Sequence, residues 1–269
     1  MGHHDSLDRR RQPLVPRRTV LRAGATGAAA LAGLGVAARS LRAQDCTLIP
    51  SQTEGPYWVD EMLNRSDIRS DTATGAVQPG LPLRLSINVS EVTSGVCAPM
   101  SDIWVDVWHC SALGVYSDVA QQGTVGHDFL RGYQLADAHG NVRFLTIYPG
   151  WYPGRTIHIH CRFRRFVNGT PTFNFVTQLY FDQAITAAIH NEVAPYVGHG
   201  QPNTTNAMDG IFNAQLLSSA AYNGTHAVAN FNAVLNANPG IARAGTTPTD
   251  PDAKEHANDF GGGSPVRLA

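Results

Sequence analysis

Residues 157–181 read IHIHCRFRRFVNGTPTFNFVTQLYF, and this stretch decides the fold. It holds two runs of strand-forming residues, Ile157 to Phe166 and Thr172 to Phe181, on either side of Asn168-Gly169. Asn-Gly is the pair that a tight hairpin turn requires, because both central residues take positive φ. Along a strand, side chains two apart share a face. Ile157, Ile159 and Cys161 therefore point one way, into a core, and His158 and His160 point together the other way.

The same alternation extends outward. Leu83 to Val89 and Asp102 to Trp108 alternate apolar and polar residues, which reads as two half-buried strands. Tyr133-Gln134-Leu135 and Val142-Arg143-Phe144-Leu145 are expected to form a hairpin through the turn Asp137-Ala138-His139-Gly140-Asn141. A late strand is expected over 226–235 and a short helix over 183–193. Short strands with Gly- and Pro-rich connections predict a mainly β protein, an antiparallel β-sandwich with long loops and few short helices. The domain is expected over 44–238, and 239–269, rich in Gly, Pro, Thr and Asp, reads as a flexible tail. The chain holds no internal repeat.

Charge is unevenly distributed. The 269 residues carry 20 Lys and Arg against 21 Asp and Glu. Eight of the arginines lie in residues 1–43 beside only Asp5 and Asp8, which leaves 12 basic and 19 acidic residues beyond, a net charge of −7. That surplus excludes the basic footprint of a nucleic-acid binder. Arg17-Arg18-Thr19-Val20-Leu21-Arg22 precedes a mild Ala/Gly-rich run, 23–38, then Ser40-Leu41-Arg42-Ala43. This order reads as a twin-arginine (Tat) export signal over 1–43, with the Tat translocase as a transient partner and an extracellular or cell-envelope destination. The run is too short and too interrupted by Gly24, Gly27, Gly33 and Gly35 to anchor the protein stably in a membrane. In an exported chain, Cys46, Cys97, Cys110 and Cys161 are expected to form two disulfides, with three connectivities open.

Two readings of the His158/His160 pair stand at this level: half of a metal site, or the polar face of an ordinary strand. The neighbours narrow the first. Arg162, Phe163, Arg164 and Arg165 follow the pair where a cupin would carry Glu, and no third His or carboxylate lies close upstream for zinc or for a facial-triad iron(II) site. What lies upstream is tyrosine, at Tyr116 and Tyr152, with Tyr148 as a rival to the latter. Phenolate is a hard anionic donor and favours iron(III).

At these residues the chain resembles the intradiol ring-cleaving dioxygenases, over about Thr53 to Phe181. Thr53-Glu54-Gly55-Pro56-Tyr57 is similar to the family's N-terminal TxGPY element. Asp106-Val107-Trp108, with Tyr116 eight residues on, resembles the segment of the first tyrosinate ligand, and Pro149-Gly150-Trp151-Tyr152-Pro153 that of the second. The second frame selects Tyr152 over Tyr148. Arg155 occupies the place of the active-site arginine, His158-Ile159-His160 that of the two histidine ligands, and Thr177-Gln178-Leu179-Tyr180-Phe181 resembles the strand whose Gln lies at the active site. Five residues separate Tyr152 from His158, fewer than in better-known members, which is expected to reshape the substrate mouth.

The resemblance implies an immunoglobulin-like sandwich topology and Fe(III) held by Tyr116, Tyr152, His158 and His160. It implies a catechol-type substrate and O₂, both atoms of which enter the ring as it opens between its two hydroxyls to a cis,cis-muconate-type product. Tyr152 would take a substrate proton, Arg155 would supply fixed positive charge, Gln178 would orient substrate or water, and Tyr57 and Trp108 would line the pocket. Gly114 and Gly150 would let the two ligand loops turn closely. The export signal and cysteines resemble an exported branch. Oligomerisation and the identity of the catechol stay open. Two other classes compete: a secreted β-sandwich that binds metal or catecholates without turnover, and a zinc hydrolase. His109, His127, His139, His190, His199 and His226 belong to no ligand pattern.

Overall fold

A computed structural model describes Cys46–Asn236; the expected export signal and the whole of the expected tail, 239–269, fall outside these residues. The described chain carries β1 (Pro82–Thr93), β2 (Val96–Pro99), β3 (Trp104–Trp108), β4 (Arg131–Leu135), β5 (Asn141–Ile147), β6 (His158–Val167), β7 (Thr170–Tyr180), β8 (Ser219–Tyr222) and β9 (Ala227–Leu235), with α1 (Gln183–Glu192) and α2 (Tyr196–His199). One sheet has the order β4-β3-β6-β7; the other runs β2-β1-β9-β8, with β5 also paired to β1. The two-sheet β architecture is the one expected. All pairs are antiparallel except β1 with β9, which run parallel.

The core lies between the sheets and is filled by one face of each strand. Leu83, Leu85, Ile87 and Val89 of β1, Phe144 of β5 and Phe231 of β9 meet Val105 and Val107 of β3, Ile159, Cys161 and Phe163 of β6 and Leu179 of β7. The period-two alternation read in the sequence is therefore the alternation of burial. β6 and β7 form the expected hairpin, with Asn168 at φ 50° and Gly169 at φ 76°. Helix α1 begins where expected because the Asp182 carboxylate caps it, accepting from the Ala184 and Ile185 amides.

The second expected hairpin does not form. Among the strands of the described residues β4 pairs with β3 alone, and β5 pairs with β1 in the opposite sheet, so the turn at 137–141 carries the chain from one sheet to the other. Alternation in the two strands suits either arrangement, and the turn itself does not choose. Docking onto β1 does: the Val89 amide donates to the Gly140 carbonyl at 2.7 Å. Gly140 has φ 76°, and a Cβ there would lie 2.2 Å from the Val89 oxygen, so only glycine lets the turn approach β1 this closely.

The outer face of the β4-β3-β6-β7 sheet is not solvated, as an ordinary polar face would be. Residues 51–66 cross it. The Gln52 amide donates to the Val176 carbonyl (2.9 Å), and Asn64 bridges to Tyr133. Glu54 pairs with Arg162 at 3.0 Å and Asp60 with Arg164 at 2.5 Å, while the Arg162 guanidinium sits 4.5 Å from the centre of the Trp58 ring. Beneath this crossing lies a second apolar cluster, Trp108, Cys110, Tyr116 and Val119, with Tyr57, Trp58, Tyr152 and Val176 against it.

Candidate metal centre

Register in this sheet aligns Trp108, His160 and Gln178 in one row, with His158 opposite Tyr180 in the next row along. Both imidazoles are buried, at 3% and 1% exposure. Their Nε2 atoms lie 3.2 Å apart. His158 Nδ1–H donates to the Thr156 carbonyl at 2.7 Å, which leaves the Nε2 lone pair turned inward, the arrangement of a metal-binding histidine. The His160 ring is clamped between neighbours: Trp108 stacks on it at 4.7 Å with planes 8° apart, and a Cβ on Gly55 would lie 3.3 Å from its Cε1.

The two phenols come from loops that touch. A Cβ on Gly114 would lie 2.2 Å from the Trp151 oxygen, and one on Gly150 would lie 2.3 Å from the Ala112 oxygen. These two glycines let the Tyr116 and Tyr152 loops pack backbone to backbone, as the sequence suggested. The Tyr152 hydroxyl donates to His158 Nε2 at 3.1 Å. Tyr116 is 1% exposed, and its ring stacks on Tyr57 at 4.5 Å and lies edge-on to Tyr152 and His160. Its hydroxyl is buried with no hydrogen-bond partner of acceptable geometry, although Tyr152 is its neighbour. Tyr148, the rival, is elsewhere: it belongs to the sandwich core, and its hydroxyl is paired with Thr186 at 2.7 Å.

Burial sets the protonation states. It pushes both His158 and His160 well below the ordinary imidazole value, with the Arg155 charge adding to it and, for His160, His158 as well. Both are neutral, as ligands must be. Burial likewise raises Tyr116, with Tyr152 reinforcing it, and raises Tyr152, where Arg155 opposes the shift. Two phenols beside two neutral imidazoles make an electron-rich pocket whose phenolates would be stabilised by a bound cation. Among the described residues no group of three His, Cys, Asp or Glu side chains could hold a metal; the side chains set against the histidine pair include these two phenols.

Arg155 lies against the centre, 7% exposed. Its Nε donates to Asp209 at 2.9 Å, and its Nη2 donates to Gln178 Oε1 at 2.6 Å and Tyr180 Oη at 3.4 Å. Gln178 Nε2 donates to the Thr53 carbonyl at 3.0 Å. Both ends of the Gln178 amide are thus engaged with protein, and it orients Arg155 and the 53–57 segment. Tyr180 and Asp209 were not singled out from the sequence. Tyr180 follows Gln178 by two on β7, so strand periodicity alone would have put it on the site face. Asp209 sits in a loop with no motif around it, and nothing local marks it.

The cysteines correct an expectation. Cys46 and Cys97 form a disulfide, but Cys110 and Cys161 are buried free thiols. Cys161 faces the sandwich core, whereas Cys110 belongs to the cluster on the outer face, so the sheet separates them. Of the unassigned histidines, His109 is fully satisfied by the Cys110 carbonyl (2.8 Å) and Thr146 Oγ1 (2.7 Å). His199 stacks on Trp151 and bonds its carbonyl, a packing role.

A family model described as dioxygenase matches residues 53–194. The beta chain of protocatechuate 3,4-dioxygenase from Burkholderia cepacia is 35% identical over 122 residues, 41% of this chain and 51% of that protein. The alignment thus spans about half the length of that relative. An intradiol ring-cleavage dioxygenase from Tetranychus urticae has a similar structure, with a TM-score of 0.60 at 28% identity over 71% of this chain and 96% of that one. The dioxygenase domain of a dioxygenase–carbohydrate-binding fusion from Streptomyces sp. SirexAA-E gives a TM-score of 0.52 at 29% identity, over 71% of this chain and 99% of that one.

Proposed function

This chain belongs to the intradiol ring-cleavage dioxygenase family, and on that premise we propose that it is an exported iron(III) enzyme that opens a catechol-type ring between its hydroxyls. The observation that carries the reading is the convergence of four donors, the buried Tyr116 Oη, His158 Nε2 and His160 Nε2 and the partly buried Tyr152 Oη. Among the described residues Tyr152 is the sole neighbour near enough to pair with the Tyr116 hydroxyl, and no well-formed hydrogen bond joins them. An unpaired buried hydroxyl costs roughly 1–3 kcal/mol, a cost that a bound cation removes. Two phenols and two neutral imidazoles are a hard, anionic-plus-nitrogen donor set, which fits iron(III).

Tyr116, Tyr152, His158 and His160 would hold iron(III), which would supply the electron-withdrawing centre that makes an ortho-diphenol reactive toward O₂. The chain's own residues do the rest. Tyr152 lies 3.1 Å from His158 through its oxygen, and as the phenolate that a bound cation would stabilise it is the group that would receive a proton as a diphenol binds. Arg155 keeps its charge, being raised rather than lowered by its surroundings despite burial, and sets it against negative charge accumulating on the ring. Trp108 and Gly55 restrain His160, and Tyr57 covers Tyr116, so that water is kept from the phenols. Both oxygen atoms of O₂ enter the product, a cis,cis-muconate-type diacid, and no external reductant is consumed.

Export rests on the twin-arginine stretch at 17–22 and is supported by the Cys46–Cys97 disulfide, a bond suited to an oxidising compartment. Among the described residues no helix is long and apolar enough to cross a membrane. The Tat translocase would be the partner during export, with the protein ending outside the cell or in its envelope.

Colour and oxygen uptake test the reading. Iron-loaded protein is expected to be red-brown from phenolate-to-iron charge transfer and to consume O₂ with catechol in equal molar amounts. A colourless iron-loaded protein would sink the ligand set. A coloured protein that binds catechol without consuming O₂ would be the non-catalytic binder instead.

A further inference from the structure

We infer that Asp209 is a positioning residue for the proposed ring cleavage: one carboxylate clamps Arg155 and, through the Thr156 backbone, aims His158. The inference rests on the functional reading above and deepens it, with a residue outside residues 53–194, which the family model matches.

The geometry is specific. The Asp209 side chain is 1% exposed. Its Oδ2 accepts from Arg155 Nε at 2.9 Å and from the Thr156 amide at 2.9 Å, and its Oδ1 accepts from the Ile211 amide at 3.0 Å. Three N–H donors converge on one buried carboxylate, which is the arrangement that holds an anion in place. The guanidinium is then fixed along two edges, by Asp209 at Nε and by Gln178 and Tyr180 at Nη2. Nη1 is left as the guanidinium nitrogen with no hydrogen bond to the described residues, free to face a bound anion.

The second arm runs through Thr156, the residue that follows Arg155. The Thr156 amide is held by Asp209, and the Thr156 carbonyl accepts from His158 Nδ1 at 2.7 Å. The Thr156 hydroxyl donates to Asn206 Oδ1 at 2.6 Å, in the same loop as Asp209. The carboxylate therefore anchors the amide side of Thr156, the residue whose carbonyl oxygen selects the tautomer of a metal ligand, and a ligand's outer partner shapes how well it binds. A merely structural loop contact would touch neither the charge facing the substrate nor His158.

The test compares wild type with Asp209→Ala, Asp209→Asn, Arg155→Ala and the Asp209→Ala/Arg155→Ala double variant. Asp209→Ala is expected to lower kcat for catechol at least tenfold and to weaken anaerobic binding of 4-nitrocatechol at least threefold. The phenolate-to-iron band should keep its position, since both tyrosines remain. Asp209→Asn, which keeps the volume and one acceptor oxygen, should fold even if the alanine variant does not, and lose less. The double variant should be slower than Arg155→Ala alone, through the His158 arm, but by a smaller factor than separates Asp209→Ala from wild type, because the Arg155 arm is already gone. In the metal-free protein the Thr156 amide should exchange with solvent at least tenfold faster in either Asp209 variant, with Leu179 unchanged. Wild-type kcat and 4-nitrocatechol binding in the Asp209 variants, losses that multiply in the double variant, or unchanged Thr156 exchange would each overturn the inference. If wild type shows neither the band nor O₂ uptake with catechol, the functional reading falls, and the Thr156 exchange decides the clamp on its own.

Discussion

Ile159 and His160 are neighbours on one strand and are buried to the same degree, 0% and 1% exposed, yet the regions they face are built on opposite rules. Between the sheets, Ile159 joins a contiguous apolar core in which Tyr148, one of its few polar tips, is hydrogen-bonded to Thr186. On the outer face, His160 joins a cluster where Tyr116 Oη, Trp108 Nε1 and His160 Nδ1 are all buried without partners. Buried polar atoms are nearly always paired, and three orphans in one cluster, against His190 Nε2 alone beside Tyr196 on the core side, mark a place kept for something other than stability. Burial alone does not separate a core from a site. The bookkeeping of hydrogen bonds does.

Substitutions can break that contrast. The largest effect is expected from His160→Ala, which should abolish the charge-transfer band and lower catechol turnover about a thousandfold or more, roughly 4 kcal/mol of barrier. A variant that kept colour and turnover would mean that the outer cluster is only packing. On the core side, Phe163→Ala is expected to cost about 3–5 kcal/mol in urea unfolding, with activity per folded molecule little changed. Large losses of activity in the folded fraction would erase the division between the two faces.

A buried histidine outside the site sharpens the comparison. His109 has both ring nitrogens bonded, and burial pushes its pKa down to about 4. It is neutral when folded, and its ordinary value when unfolded is about 6.5. The unfolded chain therefore binds a proton first as pH falls, so this contribution is fully present above about pH 6.5 and is lost progressively down to about pH 4. The loss amounts to about 3 kcal/mol. His109→Gln should flatten the dependence of the urea midpoint on pH over that window; equal slopes in both proteins would contradict it. The smallest effect is the most diagnostic. Tyr116→Phe in metal-free protein removes an unsatisfied hydroxyl and should leave stability unchanged or raise it by about 1 kcal/mol, whereas a comparable loss elsewhere would destabilise. A clear drop in melting temperature would show that the hydroxyl has a structural partner.

Local pattern carried much of this. The Asn168-Gly169 turn, the alternation in β1 and β6 and the shared face of His158 and His160 follow from the chain's own period. The motif order brought Tyr116, Tyr152, Arg155 and Gln178 into consideration before any coordinates. The same local reading joined β4 to β5 as a hairpin, because alternating residues and a tight turn are equally compatible with two strands in different sheets. It also paired four cysteines by count, when a sheet lies between Cys110 and Cys161.

By itself, then, the sequence determined which residues face which side of each strand and which side chains could serve as hard ligands, because side-chain direction and donor chemistry are local properties. Only the tertiary structure decided that residues 51–66 bury the outer face, that the Tyr116 hydroxyl is left unpaired, and that Asp209 reaches Arg155 from 54 residues away. Those are contacts between segments distant in the chain. They depend on how the sheet, the crossing segment and the late loop pack against one another, and no period in the sequence encodes that.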